Sequence, residues 1–340
     1  MKLIIKRILY IIPSMIVVLF ITFALTRIIP GDPARMMVGE QASEEAIQRI
    51  RTEMGLNKSI PAQFWDYVTR IFSGDFGTAW HTGKSVTAEF AARIPASVEL
   101  AVTGMLIAIA LGVPLGMIAA VYKDRWPDSL CRNISLLGIS LPVFWTGLMA
   151  IFLLYAKLGW ISSPLGRISN GINPPTGITG FYLLDSILTG DGIAFSDSLR
   201  HLLLPAICLS FGTLAIISRI TRTSMIEIMN QDFIRTLRAK GLSEFHILLK
   251  HGLPNIAITT MTVIGTQLGV LIGNSVIVET IFSWPGIGSF VTESILITDY
   301  APVQAFSVIS VFLYIVINLT LDILYVTIDP RLRDSKGGEL

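Results

Sequence analysis

Six long apolar stretches, near residues 8–29, 98–122, 134–156, 202–219, 256–278 and 303–327, alternate with polar segments of very unequal length. Each comes close to the roughly 20 apolar residues a helix needs to cross a bilayer. Hydrocarbon offers no partner for backbone N–H and C=O groups, so such stretches cross as helices. The pattern predicts an all-α membrane protein with six transmembrane helices. The first stretch follows Lys2, Lys6 and Arg7 and so looks like a secretory signal. It is longer than a signal's apolar core of roughly 7 to 15 residues and ends at Arg27 without a cleavage site, so it reads as a retained span.

Basic residues in the short connections orient the bundle. With the N-terminus inside, Lys123, Arg125, Arg132, Arg219, Arg222, Arg235, Arg238, Lys240 and Lys250 fall on the cytoplasmic side, joined by Arg331, Arg333 and Lys336. The reverse orientation would put residues 279–302, which contain no Lys or Arg, inside. Both termini are therefore expected in the cytoplasm. The expected plan is a cytoplasmic start and first helix over 1–29, a sizeable extracytoplasmic cap over 30–97, and a five-helix core over 98–327. The core carries an outer loop at 157–201 and a cytoplasmic loop at 223–255, and a short tail follows over 328–340. Within the cap, Phe64, Tyr67, Val68, Ile71 and Phe72 are spaced as on a short amphipathic helix. The outer loop is rich in Gly, Pro and Ser and predicts turns with one short helix.

Composition agrees with a bilayer: 52% of residues are hydrophobic, 15% charged, and the mean hydropathy is +0.66, against about 25% charged in a soluble domain. The net charge of +2 gives no reason to expect a nucleic-acid partner. Cys131 and Cys208 have no CxxC spacing or histidine cluster beside them, so neither a disulfide framework nor a metal site is expected.

The chain lacks a GxxxxGK[ST] phosphate loop and is not expected to hydrolyse ATP. Gly273-Asn274-Ser275 in the fifth span evokes a buried nucleophile, but the histidines at 81, 201, 246 and 251 read as lying in loops or at span ends. No base follows in the sixth span, so small-residue helix packing is the better reading. Asp322 reads as the one clearly intramembrane acid, near the end of the sixth span, which disfavours a proton-driven carrier. Uncharged polar residues in the last two spans, Gln267, Asn274, Ser275 and Asn318 among them, either bond between helices or line a path for a polar solute.

The stretch QDFIRTLRAKGLSEFHILLKHGLPN at 231–255 is conspicuously charged for a connection between spans. The fourth span is expected to continue as a helix until Gly241, which suits a left-handed C-terminal cap. Ser243 is then a fair N-cap for a second short helix through Lys250, with Gly252 and Pro254 as its stop. Leu242, Phe245, Leu248 and Leu249 form an apolar side opposite Glu244, His246 and Lys250. A helix this short needs packing to hold it.

This segment resembles the cytoplasmic signature loop of ABC importer permeases, most closely the dipeptide, oligopeptide and nickel permease family, with Gly241 at the glycine characteristic of that loop. The likeness covers nearly the whole chain. Matching stretches are RIIPGDP at 27–33, GDFGTAW at 74–80, LPVFWTGL at 141–148, ETIFSWPGIG at 279–288, DYAPVQA at 299–305 and IDPRLR at 328–333. The run Arg235-Thr236-Leu237-Arg238-Ala239 stands where many importers carry an acidic-Ala-Ala triplet, a departure similar to that of the peptide branch.

The resemblance implies a non-catalytic permease subunit in the bacterial inner membrane. Its loop residues Arg235, Ala239, Gly241, Leu242, Ser243, Glu244, Phe245 and His246 would dock on a cytoplasmic ATPase. The implied partners are a second homologous permease, two ATPase subunits that carry the ATP and magnesium, an extracytoplasmic solute-binding protein and membrane lipid. No cofactor is expected on this chain. The outer-loop stretch PPTGITGFYLLDSILTGDG resembles that of dipeptide-type permeases, and the resemblance implies short peptides as substrate, with nickel or another metal complex and glutathione-like compounds as alternatives. The rival classes are a secondary carrier and a membrane enzyme.

Overall fold

The computed structural model describes residues 13, 15–24, 34–35, 42–53 and 55–328, without the side chains of 318 and 321–328. The helices are α1 (Met15–Ala24), α2 (Glu44–Glu53), α3 (Ile60–Phe72), α4 (Val86–Val121), α5 (Trp126–Ser140) and α6 (Val143–Ala150). They continue with α7 (Tyr182–Thr189), α8 (Gly192–Met229), α9 (Asp232–Ala239), α10 (Glu244–His246), α11 (Leu253–Ile281), α12 (Ile287–Leu296) and α13 (Tyr300–Ile328). A two-residue hairpin pairs Thr78 with Ser85 and Ala79 with Lys84. Among the described residues, four helical stretches are long and apolar enough to cross a membrane: Val86–Val121, Gly192–Met229, Glu244–Ile281 and Tyr300–Ile317.

The described residues fall into two compact units, those within Met1–Ile94 and Phe290–Ile315, and those within Pro95–Ser289 and Val316–Leu340. In the first, α3 is the amphipathic helix expected from the spacing, with Pro61 at its first turn, where the missing N–H costs nothing. Phe64 packs edge-on against Phe23 of α1 at 5.4 Å, and the Tyr67 hydroxyl lies 3.2 Å from that of Thr22. His81 Nδ1 meets Asp299 Oδ2 at 2.8 Å.

In the second unit α8 runs through the centre, and Leu202, Leu209 and Ile217 share a core with Leu100, Leu271, Val278 and Trp284. Close approach of α4 to α8 depends on a missing side chain. A Cβ on Gly116 would lie 2.5 Å from the Ser218 carbonyl and 2.7 Å from Thr221 Cβ. Apolar side chains have no aqueous phase to flee inside lipid, so such small-residue contacts carry helix association there.

Several expectations need correction. The stretch at 134–156 is not one straight span: α5 and the helix from Val143–Lys157 meet at 103°. Pro142, in extended geometry as the N-cap of α6, has no N–H with which to continue α5. The fourth span stops at Asn230, and α9 is a separate helix that Gly241 ends. Gly252 and Pro254 do not stop the next one. A π-helical stretch, Ile247–Gly252, carries α10 straight into α11; in i→i+5 pairing a carbonyl takes its donor from one residue farther on, so a proline at the i+4 position interrupts nothing. Gly252 serves packing, since a Cβ there would lie 2.8 Å from Met225 Sδ.

Asp322 is not the sole acid in a span. Its side chain lies outside the described residues, whereas Glu99, Asp128 and Glu279 are buried within α4, α5 and α11. His201 is not at a helix end either; it is buried inside α8, its Nδ1 2.9 Å from the Asp197 carbonyl.

Candidate functional site

The charged segment at 231–255 folds as a helical hairpin. Asp232 opens α9, and Ile234 is fully buried while Arg235, Thr236, Arg238 and Ala239 face out. After Lys240 the chain reverses at Gly241, whose φ of +77° is the left-handed conformation that costs an L side chain about 1 kcal/mol or more. The Leu242 N–H returns to the Leu237 carbonyl at 3.3 Å, closing the helix end. Ser243 then caps α10, its Oγ accepting the His246 N–H at 3.4 Å.

Two features hold this tip in place. Arg238 donates to both carboxylate oxygens of Glu244, at 2.6 and 3.2 Å, across the turn. The adjacent carboxylate holds the guanidinium above the usual arginine range. The pair is solvent-exposed, so it fixes geometry more than it adds stability. Below it, Ile247 is fully buried, and Leu248 joins Met117, Met225 and Ile256 in an apolar cluster. The base is tied down farther back: Arg222 of α8 grips the fully buried Asp128 of α5 through two bonds of 2.6 and 2.7 Å.

The expected apolar side of the short helix is therefore split. Leu248 packs inward and Leu242 is half-buried, but Phe245 and Leu249 are exposed, Phe245 at 71%. Phe245 lies in the same hairpin as Arg235, Arg238, Glu244 and His246, all exposed. An exposed aromatic in a segment rich in exposed arginine has the composition of an interface hot spot. The buried anchors Ile234 and Ile247 and the Asp128–Arg222 brace were not foreseen. The brace joins residues 94 positions apart, which no local pattern encodes.

The candidate pathway residues fare differently. Gln267 and Asn274 are half-buried on α11 two turns apart, and the buried Gln267 Oε1 has no hydrogen-bond partner among the described residues. Ser275 is buried, with its hydroxyl donating to the Ile272 carbonyl at 2.9 Å. That contact is one a packing serine makes. The Asn318 side chain lies outside the described residues. Among the described residues no group of three or more His, Cys, Asp or Glu is arranged to hold a metal.

Comparison with known proteins points one way. Residues 112–334 match the family described as "Binding-protein-dependent transport system inner membrane component", and residues 1–101 match its companion "Binding-prot-dependent transport system membrane comp, N-term". The probable D,D-dipeptide transport system permease protein of Escherichia coli is 43% identical over 94% of this chain and 93% of its own length. The dipeptide transport system permease protein of Alkalihalophilus pseudofirmus is 38% identical over 96% and 98%. The glutathione transport system permease protein of Salmonella typhimurium is 34% identical over 97% and 98%. Among solved structures, an inward-facing MetNI methionine ABC transporter matches at a TM-score of 0.50 and 16% identity, covering 69% of this chain and 93% of that one. That last likeness concerns the fold alone.

Proposed function

The chain belongs to the family of binding-protein-dependent transport system inner membrane components, and on that premise we propose that it imports dipeptides or short oligopeptides as one of two permease subunits driven by ATP. Solute arrives from an extracytoplasmic binding protein. A second, homologous permease completes the passage, and two cytoplasmic ATPase subunits hold the nucleotide and magnesium. This chain catalyses no reaction and binds no cofactor. The dipeptide permeases at 38% to 43% identity support the substrate class; glutathione, named for the relative at 34%, is the second reading.

In this reading six spans cross the inner membrane with both termini in the cytoplasm, and the segment over 30–97 caps the outer side. The hairpin around Gly241 lies in the cytoplasm and receives the ATPase stroke. The observation that carries the proposal is the exposed Phe245 on a tip whose roots, Ile234 and Ile247, are buried. Force applied to Phe245 and its charged neighbours passes to α8 through α9 and to α11 through the continuous helix from Glu244. Those are two elements that alternating access has to move against each other. A push can shift the equilibrium only if the ATPase contacts differ between its two states. Gln267 and Asn274 line the path, where the unpartnered Gln267 oxygen accepts a donor from passing solute or water.

Replacing Gly241 by Trp is the test. Membrane insertion is expected to be intact, while uptake and the stimulation of ATPase activity by loaded binding protein are lost. Unchanged uptake in Gly241→Trp would remove the coupling role.

A further inference from the structure

A cavity of about 260 Å³ is lined by α5 and α8, with Ala119 of α4 at its wall. Its walls are mainly apolar, with Leu136 and Ile139 contributing, and Arg132, Arg219 and Arg222 border it. The three guanidiniums are not equivalent. Arg222 is saturated by Asp128 at 2.6 and 2.7 Å, whereas Arg132 comes only within 3.9 Å of the same carboxylate and is half exposed. Arg219 is exposed and makes no ion pair among the described residues. Asp124, the other nearby carboxylate, acts on Arg222. Two cations are thus left without a satisfying anion beside an apolar hollow.

We propose that this cavity holds one anionic phospholipid, its phosphate on Arg132 and Arg219 and its upper acyl chain along Leu136 and Ile139. The charge left over calls for an anion. The apolar wall says that the anion brings a hydrocarbon body: a water-borne phosphate would gain nothing from Leu136, which is 62% exposed. Depth agrees as well, because the turn carrying Lys123 and Arg125 directly precedes α5, and basic residues at the ends of spans mark the headgroup layer of the cytoplasmic leaflet.

The test uses the assembled transporter, purified in mild detergent from a membrane containing phosphatidylglycerol and phosphatidylethanolamine, with retained lipid counted by native mass spectrometry. Wild type is expected to keep one phosphatidylglycerol per copy of this chain. Combining Arg132→Gln with Arg219→Gln should weaken phosphatidylglycerol binding about thirtyfold and remove most of that occupancy. Arg222 is left in place to hold Asp128. Ile139→Trp, which fills the hollow but spares both arginines, should also displace the lipid, and so separates loss of a site from loss of fold. Excess inorganic phosphate should not compete. No retained phosphatidylglycerol in wild type, equal retention of both lipids, unchanged retention in either variant, or displacement by phosphate would each overturn the proposal.

Discussion

Gly241 and Phe245 divide the work at the tip of the hairpin, one by conformation and the other by exposure. A Cβ on Gly241 would meet nothing within 4 Å, so Gly241→Ala is expected to cost only the left-handed backbone strain, about 1 kcal/mol. Gly241→Asn should cost less, because asparagine tolerates that conformation; thermal unfolding of the two variants in one membrane mimetic checks the order. Phe245→Ala should leave stability within about 0.5 kcal/mol, as for exposed side chains in general. It should nevertheless abolish the stimulation of ATPase activity by loaded binding protein. Gly241 and Ser243 were legible in the sequence because a glycine stop and a serine cap are local signals. The inward turn of Ile247 and the outward turn of Phe245 were not. Side-chain direction beyond a left-handed turn depends on which surface the next helix meets, here the cluster of Met117, Met225 and Ile256.

At the level of elements, apolar stretches announced helices but not their breaks and continuations. The sequence signals at Gly252 and Pro254 read as a stop, yet the π-helical stretch and the packing on Met225 override them. The result is one continuous helix from Glu244 to Ile281. The same close packing appears at Gly116, where a Cβ has no room; Gly116→Ala should cost about 1 to 3 kcal/mol. Gly116→Leu should yield no monodisperse complex on size exclusion. In the outer loop, the predicted short helix is α7, and its Asp185 gathers the loop. The carboxylate is fully buried and accepts the N–H groups of Thr179 and Gly180 at 2.8 and 2.9 Å, plus the Thr179 hydroxyl at 2.6 Å. Burial pushes its pKa up, but these donors outweigh burial and hold it below the usual aspartate range. A depressed folded pKa means the stabilisation is complete at neutral pH and is lost as pH falls through that lowered value. The melting temperature should therefore drop below about pH 4 in wild type, and less steeply in Asp185→Asn.

For the molecule as a whole, the hydropathy pattern reached the class of fold and the family resemblance reached the transport role. Both lie in features spread along the chain. Pairings across the fold stayed hidden: Asp128 with Arg222, and Arg167 with Glu99 at 2.6 Å, depend on which helices become neighbours. The bend at Leu141-Pro142 was equally hidden within one apolar stretch. The central claim is that the Phe245 tip sits against an ATPase subunit in the working complex. Both native cysteines are buried, so a Phe245→Cys variant offers one accessible thiol for maleimide labelling. With the ATPase subunits assembled, labelling at position 245 is expected to be strongly suppressed and to return when they are stripped away; equal labelling in both states would contradict the account.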